Sequence, residues 1–286
     1  MPASRSARIA FLYTAGPHQS DNHERLPGYF AAAGWQVYLD AHRAIGMRHG
    51  DVFIGDEPAT DFDLIWPLGF GPHVGFLDRC ELLRHLPPGR LVTPVDAWLS
   101  LHGKSIFPEY SPPSVISAQL PALLDALAAF GGRAVLKPLA GSYGREVILA
   151  ETPEQLEAAV AASTDRVWVL QAFVEAISAG EIRTLVCGDQ VLGSYLRRPR
   201  GGFHANLARD AEALPAELTG AAAQRVAEIH ARLLDQGVGF AAIDLVDGYL
   251  MEVNIANPGG LETLEQLYGR DLGPVLCRAI DTHRLR

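Results

Sequence analysis

Asp244 and, beyond seven intervening residues, Glu252-Val253-Asn254 lie inside one apolar segment, FAAIDLVDGYLMEVNIAN. An unpaired carboxylate is costly to bury, so an apolar segment that carries Asp244 and Glu252 in its strands needs a cationic partner. A divalent cation is one such partner, and oxygen donors of this kind suit Mg²⁺. Mg²⁺ held by few carboxylates commonly completes its shell with substrate phosphates, which points the segment toward nucleotide chemistry.

Asp247-Gly248 marks a turn between two strands. A two-residue turn followed by regular pairing sets Asp244 opposite Met251 and leaves Asp244 and Glu252 on opposite faces, because side chains alternate. A three-residue loop, or a bulge, instead pairs Asp244 with Glu252, Ile243 with Val253 and Leu245 with Met251. That register collects Asp244, Glu252 and Asn254 on one polar face and leaves an apolar face for the core, so the hydrophobic pattern favours it. The alternative is a half-exposed hairpin with ordinary solvent-facing carboxylates.

The rest of the chain is an alternation of strand and helix patterns. Ala7–Thr14, Trp35–Asp40, Asp63–Leu68 and Arg90–Val95 read as strands, and His23–Ala33 and Leu77–Leu86 as helices, which suggests a parallel α/β unit. Its first loop, TAGPHQS, lacks the GxGxxG fingerprint of a dinucleotide site. From about Pro94 the order changes. Helices are expected over Ala97–Ser105, Leu120–Phe130 and Thr152–Ala162, the last with a cap at Thr152. Strands are expected over Ala134–Leu139, Glu146–Leu149 and Val167–Phe173. PEYSPPS reads as a proline-rich connector, Glu181–Leu196 as a hairpin turning at Gly188-Asp189, and Leu214–Leu234 as one long amphipathic helix.

Composition limits the partners. With 286 residues, 48% hydrophobic and 20% charged, the chain is an ordered globular protein of one large domain or a few smaller ones. A net charge of −9 argues against a general nucleic-acid or anionic-membrane surface, and no apolar run reaches the roughly 18 residues of a membrane span. The N-terminus reads as the start of the fold, not as a signal peptide. Cys80, Cys187 and Cys277 are widely spaced and make no CxxC, which fits a reducing cytoplasm.

Several shorter features carry chemistry only together. Lys137 interrupts an apolar strand in VLKPL and is followed by Gly141-Ser142-Tyr143-Gly144-Arg145. A strand lysine facing a cleft neutralises phosphate, and glycines let backbone N–H groups approach it. A hairpin turn with a surface lysine is the competing reading. Lys104 lies 33 positions upstream; VWVLQAFVEA is a strand running into a connector; Arg183 sits among apolar residues; Arg197, Arg198 and Arg200 cluster in LRRPRGG. Arginine forks bind carboxylate or phosphate in two-pronged fashion, although a solvated turn explains such a cluster equally.

The order of these elements resembles the ATP-grasp superfamily over roughly Leu91–Leu261. Within it, VLKPL, DLVDGYLMEVN and the NLA stretch are similar to bacterial glutathione synthetase and to the ribosomal-protein S6 glutamate ligases. GSYGR looks more like the lysine-biosynthesis carrier-protein ligases. The resemblance implies an α/β chain: an N-terminal parallel α/β pre-ATP-grasp domain (1–95), then an ATP-grasp fold of two α+β subdomains, a central one with a glycine-rich lid (96–170) and a C-terminal one with the metal site (171–286). It implies that Lys104 and Lys137 contact ATP phosphates, that Gly141, Ser142, Tyr143 and Gly144 form the lid, and that Gln171, Ala172, Phe173 and Val174 line the adenine pocket with Glu181 near the nucleotide. Arg183, Arg198 and Asn206 would act on the transferring phosphoryl group and acceptor. Asp244, Glu252 and Asn254 would hold two Mg²⁺, with Mn²⁺ as a substitute.

Two departures from glutathione synthetase fall where substrates bind. Gly202-Phe203-His204-Ala205 replaces an arginine-bearing stretch, and Asn257-Pro258-Gly259-Gly260 replaces a Ser-Pro-Thr-type loop. Arg198, His204, Asn257, Gly259 and Gly260 are therefore candidates for substrate contacts. The implied activity is an ATP-dependent carboxylate–amine ligase, cytoplasmic, acting on small molecules such as an amino acid or peptide, as a homodimer or homotetramer. An ATP-grasp small-molecule kinase and a non-catalytic nucleotide-binding regulator are the other readings.

Overall fold

The computed structural model describes residues 6–14, 20–101, 103–140, 146–163, 166–200 and 211–285. β1 (Arg8–Tyr13) is buried along both faces, as expected of the middle strand of a parallel sheet. α1 (Asn22–Ala32) ends just before Gly34, whose positive φ of 87° turns the chain into β2 (Gln36–Ala41). A small hairpin follows, β3 (Ile45–Arg48) and β4 (Asp51–Ile54), turning at His49-Gly50, with a two-residue β5 (Glu57–Pro58) on its edge. β6 (Leu64–Pro67) completes the parallel sheet in the order β2-β1-β6. α2 (Phe76–Leu83) and α3 (Val95–Leu101) follow. The strand expected over Arg90–Val95 reduces to one bridge, Ile65 to Leu91, because Pro94 precedes the start of α3.

The middle of the chain forms a four-stranded antiparallel sheet. β7 (Ser114–Ser117), α4 (Leu120–Ala129), β8 (Ala134–Pro138), β9 (Ile148–Ala150), α5 (Pro153–Ala161) and β10 (Trp168–Ala172) give the strand order β7-β10-β8-β9. β7 arises from what read as the end of a connector: the two prolines before it leave Ser114–Ser117 free to pair with β10. α5 carries the expected cap, with the Gln155 amide N–H donating to Thr152 Oγ1 and the Thr152 N–H donating to Gln155 Oε1. Leu123, Leu127, Leu136, Leu156, Trp168 and Leu170 fill a core of this sheet's own.

β11 (Glu181–Cys187), β12 (Gln190–Arg198), β13 (Glu212–Pro215), α6 (Gly220–Asp235), β14 (Phe240–Val246) and β15 (Tyr249–Asn254) build a second antiparallel sheet, ordered β13-β12-β11-β14-β15. The long helix expected over Leu214–Leu234 is corrected here: its first residues pair with β12 as β13, and the helix starts at Gly220. Pro215 ends that strand. α7 (Leu261–Tyr268) and α8 (Gly273–His283) close the chain. This sheet shares its core with the parallel sheet: Phe11, Phe30 and Trp66 pack with Leu185, Phe240 and Ile280, and the Trp66 and Phe240 rings meet edge to face at 5.6 Å. No described helix is long and apolar enough to cross a membrane.

Candidate active site

β14 and β15 pair Asp244 with Glu252, Ile243 with Val253 and Ala242 with Asn254. The tight turn at Asp247-Gly248, both at positive φ, pairs Val246 with Tyr249 and Leu245 with Leu250. A bulge at Met251 then restores the polar register. Turn and bulge therefore act together, and Leu245 faces Leu250 instead of Met251. Asp244, Glu252 and Asn254 end on one face, because each is paired with, or two residues from, another of them.

Arg183 on β11 is the other cross-strand neighbour of Asp244. Its Nε donates to Asp244 Oδ1 at 2.8 Å and its Nη2 to Oδ2 at 2.7 Å. A third donor reaches the same carboxylate: Arg197 Nη2 lies 2.8 Å from Oδ2. Arg197 also contacts Glu181, its direct partner across β11 and β12. Asp244 is only 1% exposed, and its two guanidinium partners hold its carboxyl below the usual carboxylate range against the opposing effect of burial.

Arg198 lies on the opposite face of β12, exposed, where its Nη2 donates to Glu212 Oε2 at 2.8 Å. The reason is a bulge. A hairpin turning at Gly188-Asp189 with regular pairing sets Arg183 opposite Ser194, so that Arg198 shares its face. The observed register slips by one residue, pairing Leu185 with Gly193 and Arg183 with Tyr195. Arg197 inherits the inner face. Gly193 was the available sign, since a glycine inside a strand often marks a bulge.

The two lysines face this sheet from the middle of the chain. Lys137, on β8, is opposite Val169 of β10, and Gln171 is opposite Val135 and Ser114, so Lys137, Gln171 and Ser114 share a face. Lys137 Nζ donates to Gln171 Oε1 at 2.8 Å, and Gln171 Nε2 donates to Ser114 Oγ at 3.1 Å. Burial, followed by the charge of Lys104, pulls the Lys137 ammonium down to about 8. Lys104 Nζ stands 3.7 Å from Glu252 Oε1. A cleft of ≈ 340 Å³ opens beside Lys104, walled by Ser114 and Ile116 of β7 and Tyr249 at the hairpin tip. Ala172 N donates to Pro113 O, Phe173 lies under the Arg133 guanidinium at 3.9 Å, and Val174 O accepts from Ile177 N.

The Asn257-Pro258-Gly259-Gly260 loop is held from three sides. Buried Asn22, at the start of α1, donates from Nδ2 to Asn257 Oδ1 at 2.7 Å and to Pro258 O at 2.9 Å. Arg183 Nη1 donates to Gly259 O at 3.1 Å. Gly260 has φ 129°, and a Cβ there would sit 2.7 Å from Tyr195 Oη. The loop thus rests on the same Arg183 that clamps Asp244. Gly141, Ser142, Tyr143, Gly144, His204 and Asn206 lie outside the described residues.

The residues fit a divalent cation. Three oxygen side chains share one face, and three cationic side chains, Arg183, Arg197 and Lys104, compensate their charge here. Asp244 Oδ1 accepts one of these hydrogen bonds and keeps a lone pair, and Glu252 meets only the distant Lys104 among the described ion pairs.

Residues 103–269, from beside Lys104 to the end of α7, match the family model of the prokaryotic glutathione synthetase ATP-grasp domain. The chain belongs to this ATP-grasp ligase family. A glutathione synthetase of Prochlorococcus marinus (strain MIT 9313) is 31% identical over 223 residues, which is 74% of this chain and 72% of that enzyme. The fold extends beyond the matched segment. The crystal structure of D-cycloserine synthetase DcsG covers 97% of this chain and 100% of its own, with a TM-score of 0.72 at 17% identity. The ATP-grasp ligase PsnB, solved with its minimal precursor, Mg and ADP, covers 98% of both chains with a TM-score of 0.68 at 14% identity. In this ATP-grasp chain the inner-face contacts of Arg197, Tyr195, Ser114 and Asn22 were not foreseen from sequence. Asn22 gave no sign at all, since its partner lies 235 residues away.

Proposed function

We propose that the protein is an ATP-dependent carboxylate–amine ligase that forms an amide through an acyl phosphate, on an amino acid or small peptide. The observation that carries this reading is the approach of Lys104 to Glu252 at 3.7 Å. It brings Lys104, which lines the cleft beside β7, to the carboxylate face of the C-terminal sheet, so that a nucleoside triphosphate entering the cleft would meet lysine and metal-type carboxylate together.

In the first step the γ-phosphoryl group of ATP passes to the substrate carboxylate, releasing ADP. In the second the amine attacks the acyl phosphate, phosphate leaves, and the nitrogen loses a proton. Lys104 and Lys137 neutralise phosphate, and Arg183, already anchored on Asp244, offers its remaining N–H groups to the transferring group. Gln171 to Val174 line the adenine pocket, with Glu181 nearby. Asp244, Glu252 and Asn254 would hold Mg²⁺, in a pair of ions or with Mn²⁺ in its place, which supplies charge neutralisation for the phosphates. The lid role that the family resemblance implies for Gly141–Gly144 would exclude water, which hydrolyses an acyl phosphate. The Asn257–Gly260 loop, with His204 and Asn206, would form the acceptor side, and Arg198, turned to the opposite face of β12, is left out of it.

In the proposed division into 1–95, 96–170 and 171–286, the separate core of the middle sheet supports the central unit, whereas the first and last parts share a core. The three cysteines, all buried and free, support a cytoplasmic location. A homodimer or homotetramer is the expected assembly. Substituting Lys137 or Glu252 by alanine is expected to abolish ATP-dependent amide formation in a protein that still folds, and full activity in either variant would contradict the site.

A further inference from the structure

Arg197 is one more cation than the Asp244 clamp needs. Arg183 alone meets both oxygens of Asp244. Arg197, buried on β12, reaches past β11 to add a further hydrogen bond to Oδ2 while keeping contact with Glu181. A carboxylate oxygen has two lone pairs. Oδ2 therefore has both directed at guanidinium groups, and only Oδ1 keeps one free. The four charges of Arg183, Arg197, Asp244 and Glu181 sum to zero, so in this arrangement the buried carboxylates are already neutralised without any metal.

We propose that Arg197 is a positioning residue acting as a built-in counter-cation: it competes with the divalent ion for Asp244, so that the nucleotide-free protein holds the ion weakly and the ion enters with the nucleotide. This inference rests on the ATP- and metal-dependent reading above. Two consequences set it apart from a merely structural ion pair. Loss of the Arg197 charge leaves Asp244 and Glu181 with excess negative charge, which tightens metal binding to the free protein. Loss of the Glu181 charge leaves Arg197 to Asp244 alone, which loosens it. A scaffold residue would loosen metal binding in both cases.

The test uses Mn²⁺ as the probe, with binding to the full-length protein followed by electron paramagnetic resonance, without nucleotide and with saturating ADP. Arg197→Met is expected to lower the nucleotide-free dissociation constant on the order of tenfold or more, and Glu181→Gln to raise it. Arg197→Lys, which keeps the charge, is expected to stay close to the parent protein. Unchanged or weaker Mn²⁺ binding in Arg197→Met overturns the proposal. Should that variant not fold, unchanged or tighter binding in Glu181→Gln overturns it. If the parent protein binds no Mn²⁺ even with ADP, the metal-dependent reading itself fails, which is a separate outcome from failure of the Arg197 role.

Discussion

Arg183 and Asp244 face each other across β11 and β14 and are joined by two parallel hydrogen bonds of 2.8 and 2.7 Å. The pair joins two parts of the proposed site: Asp244 of the metal-type triplet and Arg183 of the phosphoryl side. Through Nη1 the same arginine supports Gly259 of the substrate loop. A change at either residue is therefore expected to be felt at the metal, phosphate and acceptor ends of the proposed site.

Removing the carboxylate tests that coupling. Asp244→Ala leaves two buried guanidinium groups without their shared partner, and breaking a buried pair in this way costs about 3–5 kcal/mol. Chemical denaturation is expected to register a loss of that size. A loss below about 1 kcal/mol would mean that the arginines relax to solvent and that the clamp is loose.

Lys137 predicts a proton linkage. Its ammonium is pulled from the ordinary 10.5 to about 8 by burial and by Lys104. Between those values the unfolded chain binds more protons than the folded one. The stability contribution of this group therefore rises with pH from about 8 to 10.5, and below 8 the charged form is carried at a cost. A bound phosphate reverses the preference. ADP binding measured by calorimetry near pH 8.5, in buffers of different ionisation enthalpy, is expected to take up a fraction of a proton, and Lys137→Met to abolish that uptake. Equal uptake in both proteins would assign the proton elsewhere.

Tyr195 requires a glycine at position 260. With φ 129° and Tyr195 Oη only 2.7 Å from where a Cβ would stand, Gly260→Ala strains both backbone and packing. Overpacking of this kind costs about 1–3 kcal/mol. Adding Tyr195→Phe removes the nearest clashing atom, so the double variant is expected to melt above Gly260→Ala. Additive losses in the two single variants would contradict the contact.

How far the sequence could be read depended on local pattern. The polar face of Asp244, Glu252 and Asn254 was legible because alternation and the Asp247-Gly248 turn constrain the same hairpin. The capping box at Thr152 and the Gly34 stop are equally local. The choice between Arg197 and Arg198 was not legible, because one bulge beside Gly193 flips every later side chain of β12 to the other face. β13 was hidden because Ala213 and Leu214 continue the apolar pattern of the helix beyond them, and only pairing to β12 makes them strand. The Asn22–Asn257 link depends on packing of the parallel sheet against the C-terminal one, which no short-range signal reports.

The proposed site makes amides at the expense of ATP. The direct measurement is mass spectrometry of reactions containing ATP, Mg²⁺, pooled carboxylates and pooled amines, with ADP release followed in parallel. ADP release is expected to rise when acid and amine are both present, with an amide product of matching mass, and both are expected to be lost in Lys137→Ala. ADP formation with a phosphorylated acceptor and no amide, whatever amine is supplied, would contradict this reading and make the protein a kinase.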